Sequence, residues 1–353
     1  MQPLNHAIRE AANPFDRDVL SGWLREHLAG FSGLRNIVKF PGGQSNPTYK
    51  LVTDRGSYVM RCKPAPMAQL LPSAHAIERE YRVMAGLAGT DVPVPRVHCL
   101  CEDESVIGRA FYVMDCMEGR VMWNQALPEI DPENRTAIYQ EMNRIIALLH
   151  SVDPAAVGLD GFGRPNGYMQ RQISRWTNQF RACETENQPA MERLVEWLPE
   201  HIPPGEEAAI VHGDFRIDNM IFANDRPRVI AILDWELSTL GHPLADFSYH
   251  CLSWHLPSQQ FRGLSDLNPA VDGIPSEREY IAQYCERTGR SMAAVLSHWN
   301  FYLAFNLFRL AGIAQGIVKR ALEGTASHAR AIDNRQLVEP LAAAGWAAAA
   351  RTG

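Results

Sequence analysis

The stretch VHGDFRIDNMIF at 211–222, followed by VIAILDWE at 229–236, constrains the fold more than any other part of the chain. The apolar runs AAIV (208–211), MIF (220–222) and VIAIL (229–233) have the length and β-branched content of short buried strands. Between them lie His212, Asp214 and Asn219, and Asp234 ends the last run. Strongly hydrated groups beside apolar strands are costly unless they find partners. A divalent cation and phosphate oxygens would be such partners, because Mg²⁺ takes one or two carboxylates together with substrate phosphates. Phosphoryl transfer needs a base for the acceptor hydroxyl, an amide or carboxylate on one metal ion and a carboxylate on another. Asp-x4-Asn, then Asp after the next hairpin, supplies that set. For Asp214 taken alone, a satisfied polar turn beside a strand is the competing reading.

Elsewhere the pattern changes once along the chain. Residues 37–63 alternate as strands do: IVKF, the loop PGGQSNPT, YKLVT, a DRG turn and SYVMRCK. Residues 74–88 predict a helix with an apolar stripe of Ile77, Tyr81, Met84 and Ala88. VPVPRV is extended, since each proline biases its predecessor away from helix, and FYVM at 111–114 reads as a short buried strand. From about 132 the period is helical, with Ile138, Met142, Ile145 and Leu149 on one face. The fold class expected is α+β, with a small β-rich lobe at 1–115 and a larger, mainly helical lobe at 116–353, joined at Asp115 to Gly119.

Two local features belong with the first. Gly42, Gly43, Gln44, Ser45 and Asn46 form a glycine-rich loop between strands. Glycine permits close backbone approach, so successive N–H groups can cradle phosphate, although alone such a loop is more often a hairpin turn. On SYVMRCK, Arg61 and Lys63 face the same side, because side chains alternate. On the following helix Glu80 falls inside the apolar stripe, whereas Glu78 points elsewhere and can pair with Arg82. A carboxylate in a buried stripe needs a cation.

The combination H-G-D-x4-N with a later I-x-D-W resembles the aminoglycoside phosphotransferase and choline kinase-like family. That resemblance implies a protein-kinase-like bilobal fold, ATP and Mg²⁺ as cofactors, and a small-molecule hydroxyl acceptor. It makes Asp214 the catalytic base, Asn219 and Asp234 the metal ligands, and His212 an organiser of the loop. It makes 42–46 the nucleotide-phosphate loop, and places Arg61, with Lys63 as the alternative, between Glu80 and the α/β-phosphates. It makes Asp115, Cys116 and Met117 the hinge whose backbone binds adenine, where an ordinary linker is the other reading. Gly241-His242-Pro243-Leu244-Ala245-Asp246 is similar to the family's G-x-P-x-x-D, with Asp246 bracing the catalytic loop through backbone N–H groups. Glu236 is placed near a second metal or the acceptor.

A more particular resemblance runs through GGQSNPTY, AHAIEREYRVMAGL, DVPVPRVHCLCED, FYVMDCMEGR, GFGRPNGYMQRQISRW and HGDFRIDN. It is to a branch found alone in bacteria and fused ahead of acyl-CoA dehydrogenase domains in animals. It implies a hydroxylated acyl thioester or related metabolite as acceptor.

Composition sets bounds on this reading. Lys plus Arg number 34 and Asp plus Glu 40, a net charge of −6 that argues against nucleic-acid binding. Seven cysteines without a disulfide rhythm fit a reducing compartment, the cytoplasm. The most membrane-like stretch, 300–318, contains Asn306, Arg309 and Gln315 and predicts a buried helix rather than a span. Two other functions stay open from sequence. One is a metal-dependent hydrolase using His212, Asp214, Asp218, Asp234 and His242; the other is a non-catalytic nucleotide-binding protein. Oligomeric state is not readable from sequence.

Overall fold

A computed structural model describes residues 15–40, 46–64, 76–326 and 330–352. The chain forms two compact units, Met1–Glu118 with Ala231–Glu236, and Gly119–Ile230 with Leu237–Gly353. The first unit thus ends three residues past the expected boundary and takes in a short segment from far along the chain.

In the first unit the alternating runs become an antiparallel sheet of β1 (Leu34–Lys39), β2 (Thr48–Thr53), β3 (Gly56–Cys62), β4 (Val97–Cys101) and β5 (Phe111–Asp115), in the order β1-β2-β3-β5-β4. One face carries Tyr49, Leu51, Met60, Cys62, Phe111 and Val113, packed with Leu20 and Leu24 of helix α1 (Arg17–His27) into one core. Alternation then sends Arg61 and Tyr112 to the opposite face, where they are paired across β3 and β5. That face meets helix α2 (Ile77–Leu87). Its buried stripe is Ile77, Glu80, Val83, Met84 and Leu87. This corrects the expected phase: Tyr81 is only half-buried and Ala88 is exposed. Each residue advances the helix by about 100°, so the true stripe is carried by i, i+3, i+6, i+7 and i+10. Ala231–Glu236 is anchored here by the Ile232 N–H, which donates to the Pro93 carbonyl at 2.9 Å.

The second unit is mainly helical. In chain order it contains α3 (Pro132–Ser151), α4 (Tyr168–Cys183), α5 (Pro189–Glu200), β6 (Ala209–Val211) and β7 (Met220–Phe222). After β8 (Val229–Ile232), which pairs with β7, comes β9 (Thr239–Gly241), antiparallel to β6. Then follow α6 (Pro243–His250), the single turns α7 (Ser258–Phe261) and α8 (Pro269–Asp272), α9 (Glu277–Thr288), α10 (Met292–Leu322) and α11 (Arg335–Ala349). Helix α10 is long and apolar enough to cross a membrane by length and composition, yet 83% of its most apolar window is buried inside the protein. Its polar residues explain this placement. Asn306 Nδ2 donates to Ala245 O at 2.8 Å and to Ser248 Oγ at 2.9 Å, and Gln315 Nε2 donates to Cys183 O at 3.0 Å. These bonds fasten α10 to α6 and to the end of α4. At the joint, Gly119 is required by close approach: a Cβ there would lie 2.3 Å from the Phe222 carbonyl oxygen.

Helix α6 organises the loop after β6. Its N-cap, His242, accepts the Leu244 N–H on Nδ1 at 3.2 Å, and Nε2 lies 3.1 Å from the Tyr302 hydroxyl. Its last residue, His250, bonds through Nδ1 to the Phe215 carbonyl at 3.1 Å and through Nε2 to the Tyr280 hydroxyl at 2.7 Å. Burial pushes both imidazoles down to about 4. Both are therefore neutral in the folded protein at pH 7, and charging them favours unfolding. Their contribution is complete above the unfolded value of about 6.5 and is lost as pH falls through about 4. Stability is expected to drop between those limits by on the order of 2 kcal/mol per histidine. Urea midpoints at pH 7 and pH 4.5 check this. His242→Asn keeps an N-cap acceptor and flattens the pH dependence; the same dependence in that variant would contradict the assignment.

Candidate active site

In the first unit the site is built around one buried carboxylate. Glu80 is 1% exposed. Arg61 Nε pairs with its Oε2 at 2.8 Å, the Tyr112 hydroxyl donates to Oε2 at 2.9 Å, and Asn46 Nδ2 donates to Oε1 at 2.7 Å. Burial pushes the Glu80 carboxyl up, and the Arg61 charge and the two hydrogen bonds pull against it. Arg61 also reaches forward. Its Nη2 donates to Asp234 Oδ1 at 2.7 Å and lies 3.7 Å from Glu236 Oε2. Burial would lower the guanidinium pKa, but Glu80 and then Asp234 and Glu236 hold it above its ordinary value. One planar guanidinium thus meets two carboxylates along different edges, Glu80 as an ion pair and Asp234 by a hydrogen bond. Asp234 itself has φ +65°. The left-handed region is unusual for a residue with a side chain, is tolerated best by Asp and Asn, and clusters at functional positions.

The two candidate strand cations separate in the structure. Arg61 takes Glu80, and Lys63 Nζ forms an ion pair with Glu78. Gly42, Gly43, Gln44 and Ser45 lie outside the described residues. Asn46 is described, and its side chain is buried against Glu80 rather than turned to solvent. Asp115 ends β5 with its N–H on the Arg96 carbonyl at 2.9 Å and its Oδ1 2.7 Å from His98 Nε2. Cys116 and Met117 follow half-buried, and burial pushes the Cys116 thiol up.

In the second unit the loop 212–219 is held from α6. The Asp246 carboxylate accepts the N–H groups of His212 and Gly213, each at 2.8 Å, and His150 Nε2 at 3.2 Å. Burial pushes its carboxyl up, but these donors and the nearby imidazoles outweigh that and hold it below its usual range. Gly213 has φ +83°, and a Cβ there would lie 2.8 Å from the Leu237 carbonyl oxygen. Only glycine turns the chain here without strain. The buried His212 accepts the Asp214 N–H on Nδ1 at 3.2 Å. Asn219 Nδ2 donates to the Asp214 carbonyl at 2.9 Å and to its Oδ2 at 3.0 Å, which leaves the amide oxygen as the group available to a cation.

Three contributors were not named from sequence. The Tyr249 hydroxyl donates to Asp214 Oδ1 at 2.6 Å, and burial with the Asp214 charge pushes that phenol well up, so it remains a donor. Tyr249 stands three residues after Asp246, hence on the same face of α6, which is the sequence signal that could have found it. Arg309 of α10 donates through Nη2 to Gly213 O at 2.7 Å and lies 4.8 Å from the centre of the Tyr249 ring. Tyr112 was detectable as a phenol in a buried strand, which needs a partner. A cavity of about 200 Å³ adjoins this loop, with Tyr249, Arg216, Trp123, Phe261, Arg262 and Leu252 in its wall.

The ligands of the hydrolase reading do not gather. Both His242 nitrogens are engaged within the fold and Asp218 is held by Arg216. Among the described residues no group of three or more His, Cys, Asp or Glu is placed to hold a metal ion.

Arg61→Met is expected to destabilise the protein by about 3–5 kcal/mol, because it strands a buried charge. Adding Glu80→Gln to that variant restores part of the loss. Equal urea midpoints for wild type and Arg61→Met would show that the pair is not structural.

A family model described as "Phosphotransferase enzyme family" matches residues 36–294. The chain is 46% identical over 340 residues to acyl-CoA dehydrogenase family member 10 of Mus musculus, covering 96% of this chain and 31% of that protein. It spans at most 44% of the length of the curated relatives of this group that it matches. A crystal structure from Ralstonia eutropha JMP134, provisionally named an aminoglycoside phosphotransferase, superposes with TM-score 0.87 at 53% identity over 96% of this chain and 99% of that one. A thermostable mutant of aminoglycoside phosphotransferase APH(4)-Ia, in complex with ADP and hygromycin B, gives TM-score 0.59 at 14% identity over 93% and 98%, a likeness of fold. The small antiparallel-sheet unit and the helical unit are the two lobes of a protein-kinase-like fold. The chain belongs to the phosphotransferase enzyme family.

Proposed function

We propose that the chain transfers the γ-phosphoryl group of ATP to a hydroxyl of a small molecule. The observation that carries this reading is the Asp214 carboxylate. It is oriented by Tyr249 and Asn219 on a loop whose backbone is clamped by Asp246. A general base must be fixed before its pKa matters. Asp214 takes the acceptor's hydroxyl proton as the acceptor oxygen bonds to the γ-phosphorus, the bond to the β,γ-bridging oxygen breaks, and ADP leaves.

The remaining roles are those that the family resemblance implies. Arg61, fixed by Glu80, is the cation for the α/β-phosphates, in the place where Lys is commoner. By the same resemblance the 42–46 loop would receive the nucleotide phosphates, and the backbone of Asp115, Cys116 and Met117 adenine. The Asp234 carboxylate and the Asn219 amide oxygen are hard oxygen donors that suit Mg²⁺, which completes its shell with water and phosphate oxygens. When bound, that ion neutralises charge on the transferred group. The nucleotide in the APH(4)-Ia complex supports a nucleotide donor.

For the acceptor, we infer a hydroxylated acyl thioester or related metabolite. The cavity lined by Tyr249 joins apolar Trp123, Phe261 and Leu252 to Arg262 and to the Arg216–Asp218 ion pair. That lining suits an apolar body with an anionic group. Relatives named for acyl-CoA dehydrogenases point the same way. The cytoplasm is the setting we propose, from seven cysteines that show no disulfide rhythm in the sequence.

Asp214→Asn is expected to retain nucleotide affinity and to lower phosphoryl transfer from radiolabelled ATP by about 10²–10⁴-fold. Undiminished transfer would remove the base assignment. Asp234→Asn is expected to weaken Mg²⁺-dependent nucleotide binding, and equal affinity would count against its role as a ligand.

A further inference from the structure

Helix α6 reaches three consecutive residues of the catalytic loop. Asp246 takes the His212 and Gly213 amides, and Tyr249, one turn on, takes the Asp214 side chain. The 2.6 Å bond from the Tyr249 hydroxyl fixes Oδ1, while Asn219 fixes Oδ2 at 3.0 Å. The ring is itself held. The Arg309 guanidinium lies 4.8 Å from its centre, and the same guanidinium donates to Gly213 O, one residue before the base. Tyr249 also forms part of the wall of the 200 Å³ cavity, together with Arg216 and Asp218 of the same loop.

We propose that Tyr249 is the positioning residue for the catalytic base, fixing the rotation of the Asp214 carboxylate. This rests on the phosphotransferase reading above. Two donors, one on each oxygen, fix the rotation of a carboxylate that would otherwise turn about its last torsion. Each oxygen keeps a further lone pair, so the acceptor proton still has a site. The tyrosine proton does not move in the reaction. In transfer, the acceptor O–H proton passes to Asp214 as the new O–P bond forms and ADP departs. A misplacement of about 1 Å at a reacting group is enough to cost on the order of 10²-fold.

Tyr249→Phe removes the hydroxyl and keeps the ring. It is expected to lower kcat about tenfold or more, with nucleotide affinity and acceptor KM within about twofold of wild type. In an Asp214→Ala background the same change has no further effect, because the group through which it acts is gone. Turnover is read with a panel of short-chain hydroxyacyl thioesters, and with water as acceptor in Mg²⁺-dependent ATP hydrolysis. A second readout does not need turnover. With ¹³Cζ-labelled tyrosine, the resonance missing in Tyr249→Phe shifts in Asp214→Ala. A resonance blind to Asp214, or wild-type kcat in Tyr249→Phe, overturns the proposal. A shifting resonance in a protein that turns over neither water nor any thioester preserves the contact but overturns the functional reading, and the positioning role with it.

Discussion

A carboxylate buried to 1% exposure governs the first unit. Glu80 cannot sit between a helix and a sheet without a cation, and the sheet register decides which cation it gets. Arg61 and Tyr112 are cross-strand partners facing α2, so one supplies charge and the other a hydroxyl to the same oxygen. Arg61 holds Glu80 as an ion pair, with Nε 2.8 Å from Oε2, and Asp234 through a hydrogen bond from Nη2. A lysine ammonium, a single point of charge, would serve this geometry less well. That gives a physical reason for Arg at position 61. The residue that stabilises the buried carboxylate is also the one proposed to meet the nucleotide.

The second unit repeats the logic with a different buried acid. Asp246 accepts two backbone amides and a histidine, and this preference for the charged form overrides its burial. The fold needs those bonds because a loop turning through Gly213 has amides with no strand partner. Polar residues of α10 complete the frame, with Asn306 on α6 and Arg309 on the Gly213 carbonyl. A helix apolar enough to be mistaken for a membrane span is a core helix because three of its polar side chains have specific partners in this unit.

The elements with a strong period were legible in sequence. The strands of 37–63, FYVM and the helix beginning near 132 lie where alternation and helical spacing put them. The phase of α2 was less so. The stripe through Tyr81 and Ala88 was off, while Glu80 was rightly placed inside it, since helix phase is settled by the surface met and not by the helix alone. Motif spacing brought out Asp214, Asn219, Asp234 and Asp246. It was silent on Tyr249, Arg309 and Tyr112, because each acts on a residue 35, 96 or 32 positions away. The pairing of Lys63 with Glu78 rather than Glu80 was equally out of reach, because it depends on the register between β3 and α2.

The central claim is that nucleotide phosphates and Mg²⁺ bind at Arg61, Asp234 and Asn219. Calorimetric titration of the intact protein with ATP, with and without Mg²⁺, tests that most directly. The account predicts binding in the micromolar to millimolar range that strengthens with Mg²⁺. Absence of binding by ATP and by GTP under both conditions would contradict it.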